Sequence, residues 1–435
     1  MKYYSTNNKN LRVSFREAVL SGIAPDGGLY MPEIIPVLPD ALIGGMDRMA
    51  LDEIAGEVIR PFVQPMDDQI LNRIVRESIS FPAPLIKLTD RLSILELWHG
   101  PTLAFKDFGA RFLAGMLGEF LQQEKKDILI LVATSGDTGS AVAGGFYGMP
   151  GIKVGLLYPH GKVSWIQEKQ LTTTGGNVLA FEVNGSFDDC QMLVKKAFAD
   201  GELARKYYLT SANSINICRL LPQMFYYFYG VSRMDGAGNP PTICVPSGNF
   251  GNLTAGIISW KMGLPAEGFI AAVNANRVFA DYLTSGVYQP KPAVQTLSNA
   301  MDVGDPSNFH RISDLFGGGV EEIRRLIKSY SISDKETRAG IREVHDKYDY
   351  RIDPHGAVGY QAIKKDRTEH NGDSRYILLE TAHPAKFNDV MEDVLGVPLE
   401  YPERLAESLK KQKSAISVGK DYKDFKDNLI RVISG

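Results

Sequence analysis

The chain has 435 residues, 44% hydrophobic and 23% charged, a composition that suits a globular protein with a substantial core and about two or three domains. A net charge of -3 leaves no basic footprint for nucleic acid, and the short clusters Lys195-Lys196 and Lys410-Lys411 read as solvated helix faces. Cys190, Cys218 and Cys244 are widely spaced and the seven histidines scattered, so neither a disulfide framework nor a metal site is expected.

In chain order, Met1 to Asn10 is polar and lacks an apolar leader, and no apolar run approaches the roughly 18 residues of a membrane span. A cytoplasmic protein without a membrane partner is expected. Residues 1–90 form a first region, punctuated by turns at Asp26-Gly27-Gly28, Pro32, Pro36 and Pro39. Its best helix is Asp67 to Ser78, with Ile70, Leu71, Ile74 and Val75 on one face. Phe81-Pro82-Ala83-Pro84 then breaks the pattern and marks a boundary, and nothing before it offers convergent polar groups.

The apolar run Leu92 to Leu97 reads as a strand and leads through Trp98-His99-Gly100-Pro101-Thr102-Leu103-Ala104-Phe105-Lys106-Asp107 into a helix from Phe108 to Leu121. Apolar neighbours disfavour an ammonium, so Lys106 between Phe105 and Phe108 is a candidate for attack on an aldehyde, the chemistry that holds pyridoxal phosphate. The competing reading makes the two phenylalanines core and lets Lys106 snorkel to water.

Beyond this point strand and helix alternate, which predicts an α/β fold with parallel sheets. Ile128 to Ala133 reads as a strand buried on both faces, followed by Thr134-Ser135-Gly136-Asp137-Thr138-Gly139 and a helix over Ser140 to Tyr147. Strands are predicted at Lys153 to Tyr158 and Val178 to Val183, with a helix over Phe187 to Asp200. The device repeats with strand Thr242 to Pro246, loop Ser247-Gly248-Asn249-Phe250-Gly251 and helix Leu253 to Met262. The C-terminal third is helix-rich, with a capping box at Ser333 and Glu336 opening a helix to about Tyr348. A last strand, Tyr376 to Glu380, ends at Thr381-Ala382-His383-Pro384.

The glycines of Ser247 to Gly251 allow backbone N–H groups to curl around a phosphate at a helix N-terminus; the alternative is a plain turn. The loop lacks a P-loop lysine and the G-x-G-x-x-G spacing, which disfavours nucleotides. Thr134 to Gly139 is a second, hydroxyl-rich cup suited to a carboxylate or phosphate; an N-cap by Thr134 or Ser135 competes with this reading and is compatible with it. Ser211 to Arg219 gathers polar donors and one guanidinium, an oxyanion partner or else a surface arginine beside capping residues.

Taken together, these segments resemble the fold-type II pyridoxal-phosphate enzymes, the tryptophan-synthase-β-like family, and within it the threonine synthases of the longer bacterial and fungal type. The resemblance spans nearly the whole chain, and HGPTLAFKDFG and SANSINICR are its most specific segments. It implies parallel-rich sheets flanked by helices, an N-terminal domain over 1–90, and a catalytic domain over 91–435 with a smaller lobe at about 125–200. It implies conversion of O-phospho-L-homoserine and water to L-threonine and phosphate, the last step of threonine biosynthesis, by a monomer or homodimer. Lys106 becomes the Schiff-base lysine and proton carrier, with Ser247, Gly248, Asn249, Phe250 and Gly251 around the cofactor phosphate. Thr381 takes the position that meets the pyridine nitrogen. Asn213, Ser214 and Arg219 match residues gripping the substrate phosphate, with Thr134, Ser135 and Thr138 lining the carboxylate and phosphate end. Relatives often carry asparagine at the cofactor's 3′-oxygen where this chain has Asp137, and an acid facing a phenolate is repulsive unless one of them is protonated. The rivals are a phospho-lyase of the same fold that releases an oxoacid, an amino-acid dehydratase, and a non-catalytic sensor of a phosphorylated metabolite.

Overall fold

Short apolar runs flanked by turn residues become strands buried on both faces, and the chain assembles them into two mainly parallel sheets. The computed structural model describes the chain except residues 123–126, 135, 236–237, 371–373 and 435. Its strands are β1 (Lys2–Ser5), β2 (Arg12–Ser14), β3 (Tyr30–Pro32), β4 (Leu85–Thr89), β5 (Leu92–Glu96), β6 (Ile128–Ala133) and β7 (Ile152–Pro159). They continue as β8 (Val178–Val183), β9 (Tyr208–Thr210), β10 (Thr242–Pro246), β11 (Gly268–Val273), β12 (Ile327–Ser331), β13 (Tyr376–Glu380) and β14 (Ile416–Val418).

The larger sheet has the order β12-β11-β10-β13-β5-β4, parallel except for the antiparallel edge strand β4. The smaller, all-parallel sheet runs β14-β8-β7-β6-β9. A smaller lobe is expected over about 125–200; the smaller sheet also includes β9 and takes its edge strand β14 from near the C-terminus. The closing helix Tyr422–Ser434 adds Phe425 and Leu429 to that lobe's core, where Phe425 meets Phe181 edge to face at 5.3 Å. An edge strand of three residues has no hydrophobic run to announce it.

The first region holds the antiparallel sheet β2-β1-β3 and two amphipathic helices, Leu51–Val63 and Asp68–Ser78. It packs tightly on the body: a Cβ at Gly115, in helix Lys106–Leu121, would lie 2.8 Å from the Ile74 methyl. Asn216 Nδ2 also donates to Val19 O at 3.0 Å, tying helix Phe15–Ser21 to the loop after β9.

Arg311, 0% exposed, pins the two parts together. Its Nε and Nη2 donate to Tyr30 O at 3.2 and 3.1 Å, Nη1 to Ser214 O at 3.0 Å, and Nη2 to Ile215 O at 2.7 Å. Burial pulls this guanidinium down to about 9. Arg311→Met leaves those three carbonyls buried without their donor, at about 1–3 kcal/mol each. The expected result is a urea-unfolding free energy lower by about 3 kcal/mol or more; an unchanged midpoint would refute the role.

Candidate active site

Ligand sites in open parallel sheets lie beyond the carboxyl ends of the strands. Here the ends of β5, β6, β9, β10 and β13 lead into the segments carrying Lys106, Asp137, Arg219, Ser247 to Gly251 and Thr381. The segment after β5 is a compact turn, with Leu103 in the left-handed region at φ 61°. Asp107 closes it, accepting from the Thr102 backbone at 2.8 Å and its hydroxyl at 2.7 Å. Gly100 has to be glycine, because a Cβ there would sit 2.4 Å from the Asp107 carboxylate.

Lys106 opens helix Lys106–Leu121 with its side chain 16% exposed, Nζ lying 3.8 Å from Asp137 Oδ2 and 5.5 Å from the Phe105 ring centroid. Phe108 points the other way, into the core against Phe81 and Tyr226. Burial lowers the Lys106 amine; Asp137 opposes this, while Lys386 and Arg219 add to it. Asp137 is itself buried, which would raise its carboxyl, but Lys386 and Lys106 reverse this and hold it well below the usual carboxylate range. Lys386 Nζ lies 2.7 Å from Asp137 Oδ1 and donates to Thr102 O at 3.0 Å. Two lysines thus balance the charge of Asp137. Gln167 Nε2 donates to Asp137 Oδ1 at 3.3 Å, and Asn299 Nδ2 donates to Gln167 Oε1 at 3.2 Å.

The loop after β10 ends with Phe250 at φ 58°, and helix Gly251–Lys261 follows. Among the described residues, no protein acceptor takes the backbone N–H of Gly248, Asn249, Phe250 or Gly251. Four consecutive free donors at a helix start form an anion cradle. A side chain at Gly248 would meet the Met301 Cα at 2.7 Å. The Asn249 side chain does not face the cradle alone: its Nδ2 donates to Ser214 Oγ at 2.6 Å and its Oδ1 accepts from Ser307 N at 2.6 Å. Ser247 Oγ donates to Val245 O at 2.8 Å. Thr381 is 6% exposed; its carbonyl accepts from Phe105 N at 2.9 Å, and among the described residues its hydroxyl has no partner.

The second cup is more structural than its composition implies. Thr134 is 1% exposed, and its Oγ1 accepts from Gly136 N at 3.1 Å and from Gly139 N at 2.9 Å, so it satisfies a first-turn N–H of the helix Asp137–Phe146, whose N-cap residue is Gly136. Thr138 is half-buried, and Ser135 lies outside the described residues. Asn213 Nδ2 reaches Ala133 O at 3.5 Å while its buried Oδ1 has no partner. Arg219, 4% exposed, donates from Nη1 to Ala212 O and keeps Nε unpartnered. Burial pulls its guanidinium down to about 10 against the pull of Asp107. Lys386, Gln167 and Asn299 escaped the sequence reading as site residues. For Lys386 a signal existed, since His383-Pro384-Ala385-Lys386-Phe387 sets a lysine in an apolar frame just past a buried strand, as at Lys106.

The fold and these loops define the class. The family of pyridoxal-phosphate dependent enzymes matches residues 81–382, and the families described as threonine synthase N terminus and threonine synthase, C-terminal match residues 2–79 and 356–428. The chain is 43% identical to the threonine synthase of Serratia marcescens over 93% of this chain and 94% of that one. Its structure is similar to crystal structures of threonine synthase from Escherichia coli (TM-score 0.92, 39% identity, 99% of this chain and 100% of that one) and of pyridoxal-phosphate-bound threonine synthase from Brucella melitensis (TM-score 0.92, 34% identity, 99% of each). The chain belongs to the threonine synthase family. Its cofactor is pyridoxal phosphate, and the free N–H cradle, the buried amine and the unpartnered hydroxyl suit that group's phosphate, aldehyde and ring nitrogen. Among the described residues no helix is long and apolar enough to cross a membrane, and no cluster of three or more acidic, His or Cys side chains could hold a metal.

Proposed function

We propose that the enzyme converts O-phospho-L-homoserine and water to L-threonine and phosphate, with a catalytic domain over 91–435 and an N-terminal domain over 1–90. The observation that carries this is the buried Lys106 amine between Asp137 and the loops after β5, β6 and β9. Pyridoxal phosphate, when bound, supplies the electron sink for carbanion chemistry. Ser247, Gly248, Asn249, Phe250 and Gly251 would hold its phosphate, Thr381 would meet its ring nitrogen and Asp137 would face its 3′-oxygen. Lys106 Nζ would hold it covalently and would be freed when the substrate amine binds. The freed Nζ then takes the proton from the substrate Cα and next one from Cβ. Phosphate leaves Cγ, which gains a proton to become the methyl group; water adds at Cβ, and Cα is reprotonated. Thr134, Ser135, Thr138, Asn213, Ser214 and Arg219 form the substrate's carboxylate and phosphate end. Its buried, unpaired cysteines suit a reducing cytoplasm, where the enzyme acts as a monomer or homodimer.

The test is product stoichiometry by NMR with the purified, cofactor-loaded enzyme. Threonine and phosphate are expected in equal amounts. Release of an oxoacid and ammonia would instead identify a phospho-lyase.

A further inference from the structure

Lys386 has no assigned role, yet it is 0% exposed and aims its ammonium at Asp137, the carboxylate that also faces Lys106. Asp137 divides its oxygens: Oδ1 takes Lys386 at 2.7 Å and Gln167 at 3.3 Å, leaving Oδ2 for Lys106 at 3.8 Å. A closer and fully buried ion pair thus competes with the looser one. The arrangement is locked on both sides. Thr102 O accepts from Lys386 at 3.0 Å, and Gly136 leaves room for Gln167, since a Cβ there would lie 2.5 Å from its amide carbon.

We propose that Lys386 is a positioning residue that acts on Lys106 through Asp137, drawing the carboxylate's charge away so that the Lys106 amine is available as a base. This deepens the function proposed above and rests on Lys106 being the lysine that holds the cofactor. Three charged groups bear on Lys106, namely Asp137, Lys386 and Arg219. Lys106, Lys386 and His355 bear on Asp137, and Lys386 also acts on Asp107 and His383.

The sign follows from those groups. Removing the Lys386 charge removes a cation that disfavours the Lys106 ammonium and leaves Asp137 to pair with Lys106 alone. Both changes favour the protonated form, so the midpoint at which Lys106 titrates should rise. Lys386→Gln is the informative variant, because its amide still donates to Thr102 O and Asp137 without a charge. The readout is the pH midpoint of the bound cofactor's visible absorbance band in the holoenzyme. Competitive acetylation of Lys106 in the cofactor-free protein gives the free amine's own midpoint, and its shift from wild type should have the same sign for any variant that fails to load.

For K386Q we expect a midpoint higher by about one pH unit or more, with K386R close to wild type. In a D137N background the K386Q shift should fall to less than half. A K386Q midpoint that is unchanged or lower overturns the proposal. So does a K386R shift as large as that of K386Q, which would mean packing, or an undiminished shift in D137N, which would mean that the direct repulsion between Lys386 and Lys106 carries the whole effect and Asp137 none of it. Borohydride mapping of the wild-type holoenzyme decides separately whether Lys106 carries the cofactor, so failure of that reading is distinguishable from failure of this one.

Discussion

Lys106→Ala is expected to lower turnover of O-phospho-L-homoserine by about ten-thousand-fold or more, since it removes both the covalent tether and the base at the substrate Cα. The fold should survive, because the Lys106 side chain is 16% exposed and is not part of the aromatic packing around Phe108. The cofactor should become removable by dialysis, held only by the cradle at Ser247 to Gly251 and by Thr381. Borohydride reduction of the wild type followed by peptide mapping should place the pyridoxyl group on Lys106. Lys386 is the natural rival, but its Nζ is pinned between Asp137 and Thr102 O with no exposed surface. Label on Lys386 or any other lysine would overturn the assignment.

Arg219→Ala is the second large effect. The substrate phosphate carries up to two negative charges, and a guanidinium offers it charge-assisted hydrogen bonds. Loss of one partner of a buried charged pair corresponds to about 2–5 kcal/mol in capture of the phosphorylated substrate. Lysine should rescue only partly, as a point charge in place of a fork. Burial of Arg219 sharpens the test. Its Nη1 already braces Ala212 O, so a purely structural arginine would loosen the Ser211 to Asn216 loop for every ligand. Comparing the phosphorylated substrate with a neutral homoserine ester separates the two: selective weakening of the phosphorylated ligand supports the phosphate site. Equal weakening of both, or loss of cofactor, contradicts it.

The parts of the fold legible in the sequence were those where one physical signal dominates. β6, β10 and β13 lie where continuous apolar runs end in Gly, Pro or polar residues, because parallel strands buried on both faces have no polar side to alternate with. The short or partly covered strands β4, β9, β12 and β14 offer no such run. The three helices at the site start earlier than periodicity suggests, at Lys106, Asp137 and Gly251 instead of Phe108, Ser140 and Leu253. Their first turns are built from loop residues whose work is to present donors or a reactive side chain, so they carry no apolar face. Near the strand ends, the apolar setting of Lys106 and the free N–H groups after β10 were legible because local sequence creates them. Asp137 was not, since its charge balance depends on Lys386, far away in sequence. For Thr134 the sequence allowed both a ligand contact and a helix-start role, and the fold gives its hydroxyl the second, accepting from the backbone of Gly136 and Gly139.

The most direct measurement of the central claim is turnover of O-phospho-L-homoserine in oxygen-18 water, with mass analysis of both products. Water addition at Cβ after departure of phosphate from Cγ predicts threonine carrying one labelled hydroxyl oxygen and phosphate carrying none. Labelled phosphate with unlabelled homoserine, or an oxoacid in place of threonine, would contradict it.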